Sequence, residues 1–405
     1  MKNLLLVLLF LSCSIYPQTN LMREILSNGK EIVQDVISQH EKYKIQIIYT
    51  QVDRDENNKP NLTTYSLYAN NNDYFYPASS VKFPAALLAL EKLNGLKIDG
   101  LTKYSPLTID SVYSGQSFVK YDSSSENNFA SIAHYIKKIL LASDNDAYNR
   151  IYEFVGHKSL NESLWKKGYT DVRLNHRLSI FLSDDENRHT NPFNFYNNNE
   201  ILYTQPEAVS DMEFTKTYNN EQMGTGFYRS GELINEPMDF SAKNYFSLVD
   251  IHEILKAVIF PEEVPQEKRF NLTDDDYNFI YKYMMLFPRE SDYPGYDPAV
   301  YFDSFVKFFM FDKKNTNIRE LNKVGLAYGF LIDNAYIIDL ENNIEFLLSA
   351  TIYVNDDGIF NDDKYEYDEI GFPFMEELGR IFYNYEITRD KKNSPDLEKF
   401  RKLLE

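Results

Sequence analysis

An α/β fold of the α+β type is predicted: an antiparallel sheet flanked by helices, with a mostly helical subdomain inserted between its strands. Three observations predict it. Strand-like alternation occurs near both ends of the 405-residue chain, the region between them carries helical spacing, and 43% hydrophobic residues are enough to fill two packed subdomains.

At the N-terminus, Lys2 and the apolar run 4–11 fit a signal-peptide core, too short to span a bilayer, so 1–17 predicts an exported protein, periplasmic or secreted. Two processing readings stand. Phe10, Leu11, Ser12 and Cys13 resemble a bacterial lipobox with Phe where Leu is usual, which would anchor the chain to the envelope through Cys13, while 14–18 can hold an ordinary cleavage site. Cys13 is the only cysteine, so the mature chain has no internal disulfide and a thiol nucleophile is not expected.

Residues 18–385 are read as one domain. A helix is expected over 21–40, then two strands through Ile45, Ile47, Tyr49 and Leu62, Thr64, Ser66, Tyr68, separated by a polar turn at 53–60. The helix opened by Ser79 leads into the helical subdomain. That subdomain is given two further apolar sets at helical spacing: Phe129, Ile132, Ala133, Ile136 and Leu140, then Leu248, Ile251, Ile254, Leu255 and Val258. The stretch 178–243, rich in Asn, Tyr and acids, predicts an insertion of loops and short elements on the helical side, near the cleft rim. After 315 the strands return at 326–331, 335–340 and 344–354, with Glu341, Asn342 and Asn343 as a hairpin tip, and a helix near 374–383 closes the layer. Residues 386–405 are expected as a charged tail, with a helix signal at Ser394 and Pro395 and Leu397, Phe400 and Leu404 on one face. A chain that leaves the sheet once and returns places a cleft between its two parts.

A net charge of −19 argues against nucleic acid or an anionic membrane as partner. The 32 Tyr and 29 Phe read as core and half-buried strand residues. Six scattered histidines form no metal-binding pair, and Asn355, Asp356, Asp357, Gly358, Asp362 and Asp363 lack calcium-loop spacing and read as a solvated turn. No metal or cofactor is expected.

Chemistry enters with three short motifs. Ser-x-x-Lys occurs at Ser27, Ser79, Ser117, Ser163 and Ser304, but only Ser79 follows an aromatic approach, 74–78, and opens an apolar run, 83–90. Ser143, Asp144 and Asn145 occur once, after a helical stretch; Lys323, Val324 and Gly325 precede a strand-like segment. A serine hydroxyl needs a base, and Lys82 lies one helical turn from Ser79. Lysine serves as base only when its pKa falls, which burial and a neighbouring cation achieve; Lys323 is the candidate cation. A helix N-terminus at Ser79 also favours a developing oxyanion. Taken alone, each motif has a blander meaning, a helix cap or a helix end.

From these residues the chain resembles the β-lactamase/transpeptidase-like serine hydrolase superfamily, closest to its class A β-lactamase-like branch. FYPASSVKFP (75–84) is similar to that branch's nucleophile segment, ILLASDNDAYNRIYEFVG and LWKKGYTDVRLNHR (139–156 and 164–177) to its second-motif helix and the stretch after it, and NKVGLAYGFLIDNAYIID (322–339) to its third-motif strand. The resemblance covers roughly 44–177 and 245–385. It implies Ser79 as nucleophile, Lys82 as base, Ser143 as proton relay and Lys323 as cation. It assigns substrate contacts to Asn145, Gly325 and Leu326, the Leu326 amide joining that of Ser79 in an oxyanion hole. The implied reaction forms an acyl-enzyme with the amide, ester or β-lactam carbonyl of a small-molecule or peptide-like substrate. A penicillin-binding or peptidoglycan peptidase-like enzyme, and a non-catalytic envelope ligand-binding protein, are the alternatives on the same fold.

Two departures matter. Val324 stands where a hydroxyl residue is usual, with no Arg over 326–339 to compensate. No ExxLN-type segment follows Arg177, where class A enzymes carry the glutamate for deacylation; Asp184, Asp185 and Glu186 are the nearby acids. Slow deacylation of classical penicillins is the expectation.

Overall fold

The computed structural model describes residues 15–198 and 200–405, so the predicted leader through Ser14, with Cys13, lies outside the described residues. Two helices, α1 (Ile15–Ser27) and α2 (Glu31–Ser38), precede the sheet. The single helix expected over 21–40 is broken at 28–30, where a Cβ on Gly29 would lie 2.9 Å from the Val33 Cβ.

The main sheet holds β1 (Gln46–Arg54), β2 (Pro60–Leu67), β3 (Ile318–Asn322), β4 (Gly325–Ala327), β5 (Phe330–Asp339) and β6 (Ile344–Tyr353), in the order β3-β5-β6-β1-β2 with β4 also paired to β5. All of its pairings are antiparallel. Period-two alternation divides two cores between its faces. Ile47 and Tyr49 of β1 and Leu331, Ala335 and Ile337 of β5 face one core, shared with Val33 and Val36 of α2 and with Phe374, Leu378 and Phe382 of α9 (Phe372–Thr388). Ile48, Val52, Ile332, Tyr336 and Ile338 face the other, shared with the helical subdomain.

That subdomain is built on α3 (Lys82–Leu96), α4 (Ile132–Ala142), α5 (Asn145–Val155) and α6 (His157–Lys166). The 248–258 set, expected within it, forms α7 (Leu248–Ile259), which packs on β1, β5 and β6 instead. His252 of α7 bonds Thr50 of β1 and Ser349 of β6, both at 2.7 Å. Periodicity defined the buried face of this helix but not what would cover it.

Three further expectations are corrected. The strand expected over 326–331 turns back at Tyr328 and Gly329, whose φ of 57° and 81° are what a two-residue type I′ hairpin requires. The stretch 178–243 is divided between two neighbourhoods. Its Phe193–Asn197 and Glu200–Gln205 hairpin extends Leu107–Ile109 on the helical side, while Gly226–Arg229 pairs in parallel with Ile359–Phe360 beyond β6. The charged tail is also packed. Helix α9 runs through Thr388, and α10 (Glu398–Leu404) docks on α8 (Asp274–Met285), with Leu397 and Phe400 buried and the Phe400 ring against Tyr281 and Tyr336. Arg401 adds bonds to the Leu340 carbonyl and Asn343 Oδ1, and Leu403 and Leu404 pack against the same core.

Candidate active site

The three motifs converge where α3, the α4–α5 junction and the β3–β4 connection meet. Ser79 sits half-buried in a 3-10 turn, Ala78–Val81, that runs straight into α3. Ala78 before it is held at φ 46°, a left-handed conformation costly for a residue with a Cβ, and the Lys82 amide donates to the Ser79 carbonyl.

Ser143 is the C-cap of α4 and takes a left-handed conformation, φ 56°. Asp144 then N-caps α5, its carboxylate accepting from the Ala147 amide at 2.8 Å, and Asn145 is the first residue of α5. This tripeptide does end a helix, and the sharp ending brings the Ser143 and Asn145 side chains to Lys82 while Asp144 turns back to cap α5. The Lys82 ammonium donates to the Ser143 carbonyl, to Asn145 Oδ1 at 2.6 Å and, at 3.4 Å, to Ser143 Oγ. The Ser79 hydroxyl is not among its partners.

Lys323 completes the set from the sheet, donating to Ser143 Oγ at 2.8 Å and to its neighbour's carbonyl, that of Val324, at 2.9 Å. Two buried lysine side chains thus share one hydroxyl. Burial pushes the Lys82 pKa well below the ordinary lysine value; the charge of Lys323 lowers it further, and Asp144 opposes both. Burial likewise brings Lys323 down to about 7, with Asp333 opposing and Lys307 assisting. Val324 is buried among the apolar side chains on the sheet face that packs on α2 and α9.

Gly325 lets the sheet approach the Ser79 turn. A Cβ there would stand 2.4 Å from the Pro77 carbonyl oxygen and 2.5 Å from Ile332 Cγ2. Leu326 follows, and the hairpin fixes where its amide points. Ala327 and Phe330 flank the two-residue turn and form its hydrogen-bonded pair, so Leu326 and Leu331 are a non-bonded pair and the Leu326 N–H faces away from β5. That edge of β4 lies against the Ser79 turn.

The predicted acids are elsewhere. Asp184, Asp185 and Glu186 begin a short helical turn, with Glu186 closing a capping box on Ser183 and bonding Ser114, and Asp185 bonding Tyr113. The residue that reaches the site from this segment is Ser179, whose hydroxyl accepts from Asn145 Nδ2 at 2.7 Å. Among the described residues, no carboxylate is a hydrogen-bond partner of the Lys82, Ser143, Asn145 or Lys323 side chains. Arg177 anchors the segment, pairing with buried Glu153 of α5 at 3.0 Å and donating to the carbonyls of Glu186 and His189. Ser179 and the Arg177–Glu153 pair had no signal in the sequence beyond the position of Arg177 itself.

The family match supports a serine β-lactamase-like hydrolase. The chain belongs to the beta-lactamase enzyme family, whose sequence model matches residues 28–269, a range that runs through the divided stretch 178–243. No curated protein matches it. Among solved structures it is similar to a beta-lactamase from Xanthomonas campestris pv. campestris, 12% identical over 90% of this chain and 98% of that one, TM-score 0.47. It is similar also to PBP-A, 12% identical over 90% and 97%, TM-score 0.47. A class A beta-lactamase from Clostridium kluyveri is 13% identical over 87% and 97%, TM-score 0.46.

Proposed function

We propose that the protein is an exported serine acyl-transfer enzyme that forms an acyl-enzyme on Ser79 and releases it slowly. The observation that carries this reading is the convergence of two buried lysines on the Ser143 hydroxyl, one of them a helical turn from Ser79 and both with pKa values below the lysine range. Neutral Lys82 takes the Ser79 hydroxyl proton as Oγ attacks the carbonyl carbon; general-base help of this kind is worth about 10² to 10⁴ in rate. The Ser79 and Leu326 amides hold the resulting oxyanion. Asn145 holds the acyl amide, and Gly325 keeps β4 close enough for that hole to form. When the C–N bond breaks, the proton on Lys82 passes through the Ser143 hydroxyl to the leaving nitrogen, with Lys323 orienting Ser143. The product is an ester on Ser79 and a free amine.

Hydrolysis of that ester needs a base for water, and among the described residues no carboxylate bonds to the polar set, so the adduct should persist. This favours a penicillin-binding or peptidase-like role over a fast β-lactamase. Export belongs to the same reading, either with a lipid anchor at Cys13 or with ordinary cleavage within 14–18, and the intact mass of protein from a membrane or soluble fraction distinguishes lipidated from cleaved forms.

The test is intact-mass detection of a covalent adduct after incubation with a labelled penicillin and with a general serine-reactive probe. One adduct per chain, absent in Ser79→Ala, is expected. Labelling that survives in Ser79→Ala would contradict the reading.

A further inference from the structure

A cleft of about 880 Å³ lies next to the chain segments that carry the polar set, lined mostly by the divided stretch, with Tyr328 of the β4–β5 hairpin on its other flank. Both walls continue chain segments that touch the site. Phe181, wholly exposed at the rim, lies two residues beyond Ser179, the partner of Asn145; Tyr328 lies two residues beyond Leu326. The aromatic packing is continuous with the approach to Ser79, because the Tyr328 ring stands 5.1 Å from Tyr76 and 5.7 Å from Phe240.

Lys243 stands between these walls. Its segment is tied to the chain leading to Ser179: Asn175 Nδ2 donates to the Ala242 carbonyl and the His176 amide to Asn244 Oδ1. Its ammonium lies 6.0 Å from the centre of the Tyr328 ring and, among the described residues, has neither an ion-pair partner nor a hydrogen bond. Burial lowers its pKa, with the more distant Asp184 opposing. In a chain of 61 acidic and 42 basic side chains, a partly buried lysine without a carboxylate is not explained by a shortage of acids. Arg229, the second cation of the cleft, is exposed and stacks over Phe227 at 5.1 Å. The carboxylates of the cleft, Glu236 and Asp239, are exposed at its rim.

We propose that this cleft binds the acyl portion of the substrate and selects acyl chains that end in a carboxylate, with Lys243 as its receptor. The proposal rests on Ser79 being the acylated residue. An amide held by Asn145 extends its acyl chain along Ser179 toward Phe181, between the aromatic walls, and meets Lys243 where a counter-charge is missing. A charge-assisted contact of this kind amounts to about a tenfold preference.

The experiment compares two penams of nearly equal length, one acylated with glutaryl and the other with pentanoyl, so that the ring carboxylate common to both cancels. Rates of adduct formation give the glutaryl-over-pentanoyl ratio, and calorimetry on Ser79→Ala gives the same ratio for binding without acylation. Both ratios should be near ten in the wild-type Lys243 background, fall to about one in Lys243→Met, survive in Lys243→Arg, and shrink as salt is raised. A ratio that is unity at Lys243, or unchanged by Lys243→Met or Lys243→Gln, overturns the proposal. If neither penam acylates the protein while the binding ratio still depends on Lys243, the cleft assignment holds and the assignment of Ser79 fails.

Discussion

The polar cluster at the Ser79 cleft and the one around Lys307, behind β3, differ in the charges set beside their buried lysines. Lys307 donates to the carbonyls of Met284 and Glu320 and to Asn322 Oδ1, while Asn322 in turn donates to Asp333 Oδ1 and the Phe308 amide to Asp333 Oδ2. Burial pulls Lys307 down to about 8, against the opposing charges of Glu320 and Asp333, and pushes Asp333 up to about 6. Lys82 is bonded in a similar way, by side-chain oxygens of Ser143 and Asn145 and a backbone carbonyl, but its charged neighbours are Lys323, which lowers its pKa, and the single carboxylate of Asp144, which opposes. The same chain therefore sets two buried carboxylates against one buried lysine and a second lysine beside another. Acids near a buried amine favour its charged form; for Lys82, burial and the neighbouring cation act the other way and favour the neutral form that a base requires.

Removing each lysine breaks the comparison most sharply. Lys82→Ala should slow acylation of Ser79 by about 10² to 10⁴, read by intact mass over time, with the circular-dichroism spectrum unchanged. Labelling at the wild-type rate would remove Lys82 as base. Asp333→Ala should instead cost stability, about 3–5 kcal/mol, because it removes one of the two carboxylates facing buried Lys307 and leaves the Asn322 amide and the Phe308 N–H without their acceptor. Urea denaturation measures it. Lys82→Met, by contrast, takes a poorly compensated amine out of the interior and should leave the urea midpoint level or raise it.

The pH dependence is set by the sign of the lysine shifts. Lys82 and Lys323 have lower pKa values folded than unfolded, so over the window between the folded value, about 7 for Lys323, and the ordinary lysine value, the unfolded chain binds more protons. Their contribution to stability rises with pH across that window. Acylation should rise with pH along a limb below the lysine range, and Lys323→Met should move that limb upward by removing the neighbouring cation. A limb that stays in place would show that Lys323 does not tune Lys82.

A smaller effect is expected where β4 meets the Ser79 turn. Gly325→Ala brings a methyl group to 2.4 Å from the Pro77 oxygen, so the strand must withdraw and carry the Leu326 amide with it. Acylation should fall on the order of ten- to a hundredfold, the scale of one displaced oxyanion donor, with a smaller proportional loss of stability. Equal losses in both would make Gly325 a packing residue only.

The sheet and the polar set were legible in the sequence because each rests on local pattern. Alternation through Ile47, Tyr49 and Ile337 defines the strands, and Ser79 with Lys82 and Ser143 with Asn145 are neighbours along short segments. The features that stayed hidden depend on partners distant along the chain. Tyr328 and Gly329 look like strand residues until β5 folds back on β4. The buried face of α7 would serve a helical bundle as well as a sheet, and Leu397 and Phe400 find their sites only against α8 and Tyr336. Asp184, Asp185 and Glu186 stand out by charge, yet they cap a surface turn, while uncharged Ser179 is the residue that touches Asn145.

The central claim is that Ser79 is acylated and that the ester outlives the encounter for want of a deacylating carboxylate. Peptide mapping of the penicillin adduct, tracked over time after excess reagent is removed, tests both halves together. The adduct should map to the peptide containing Ser79 and decay far more slowly than it formed. An adduct on Ser27, Ser117, Ser163 or Ser304, or turnover near hundreds per second, in the upper part of the ordinary enzyme range, would contradict the account.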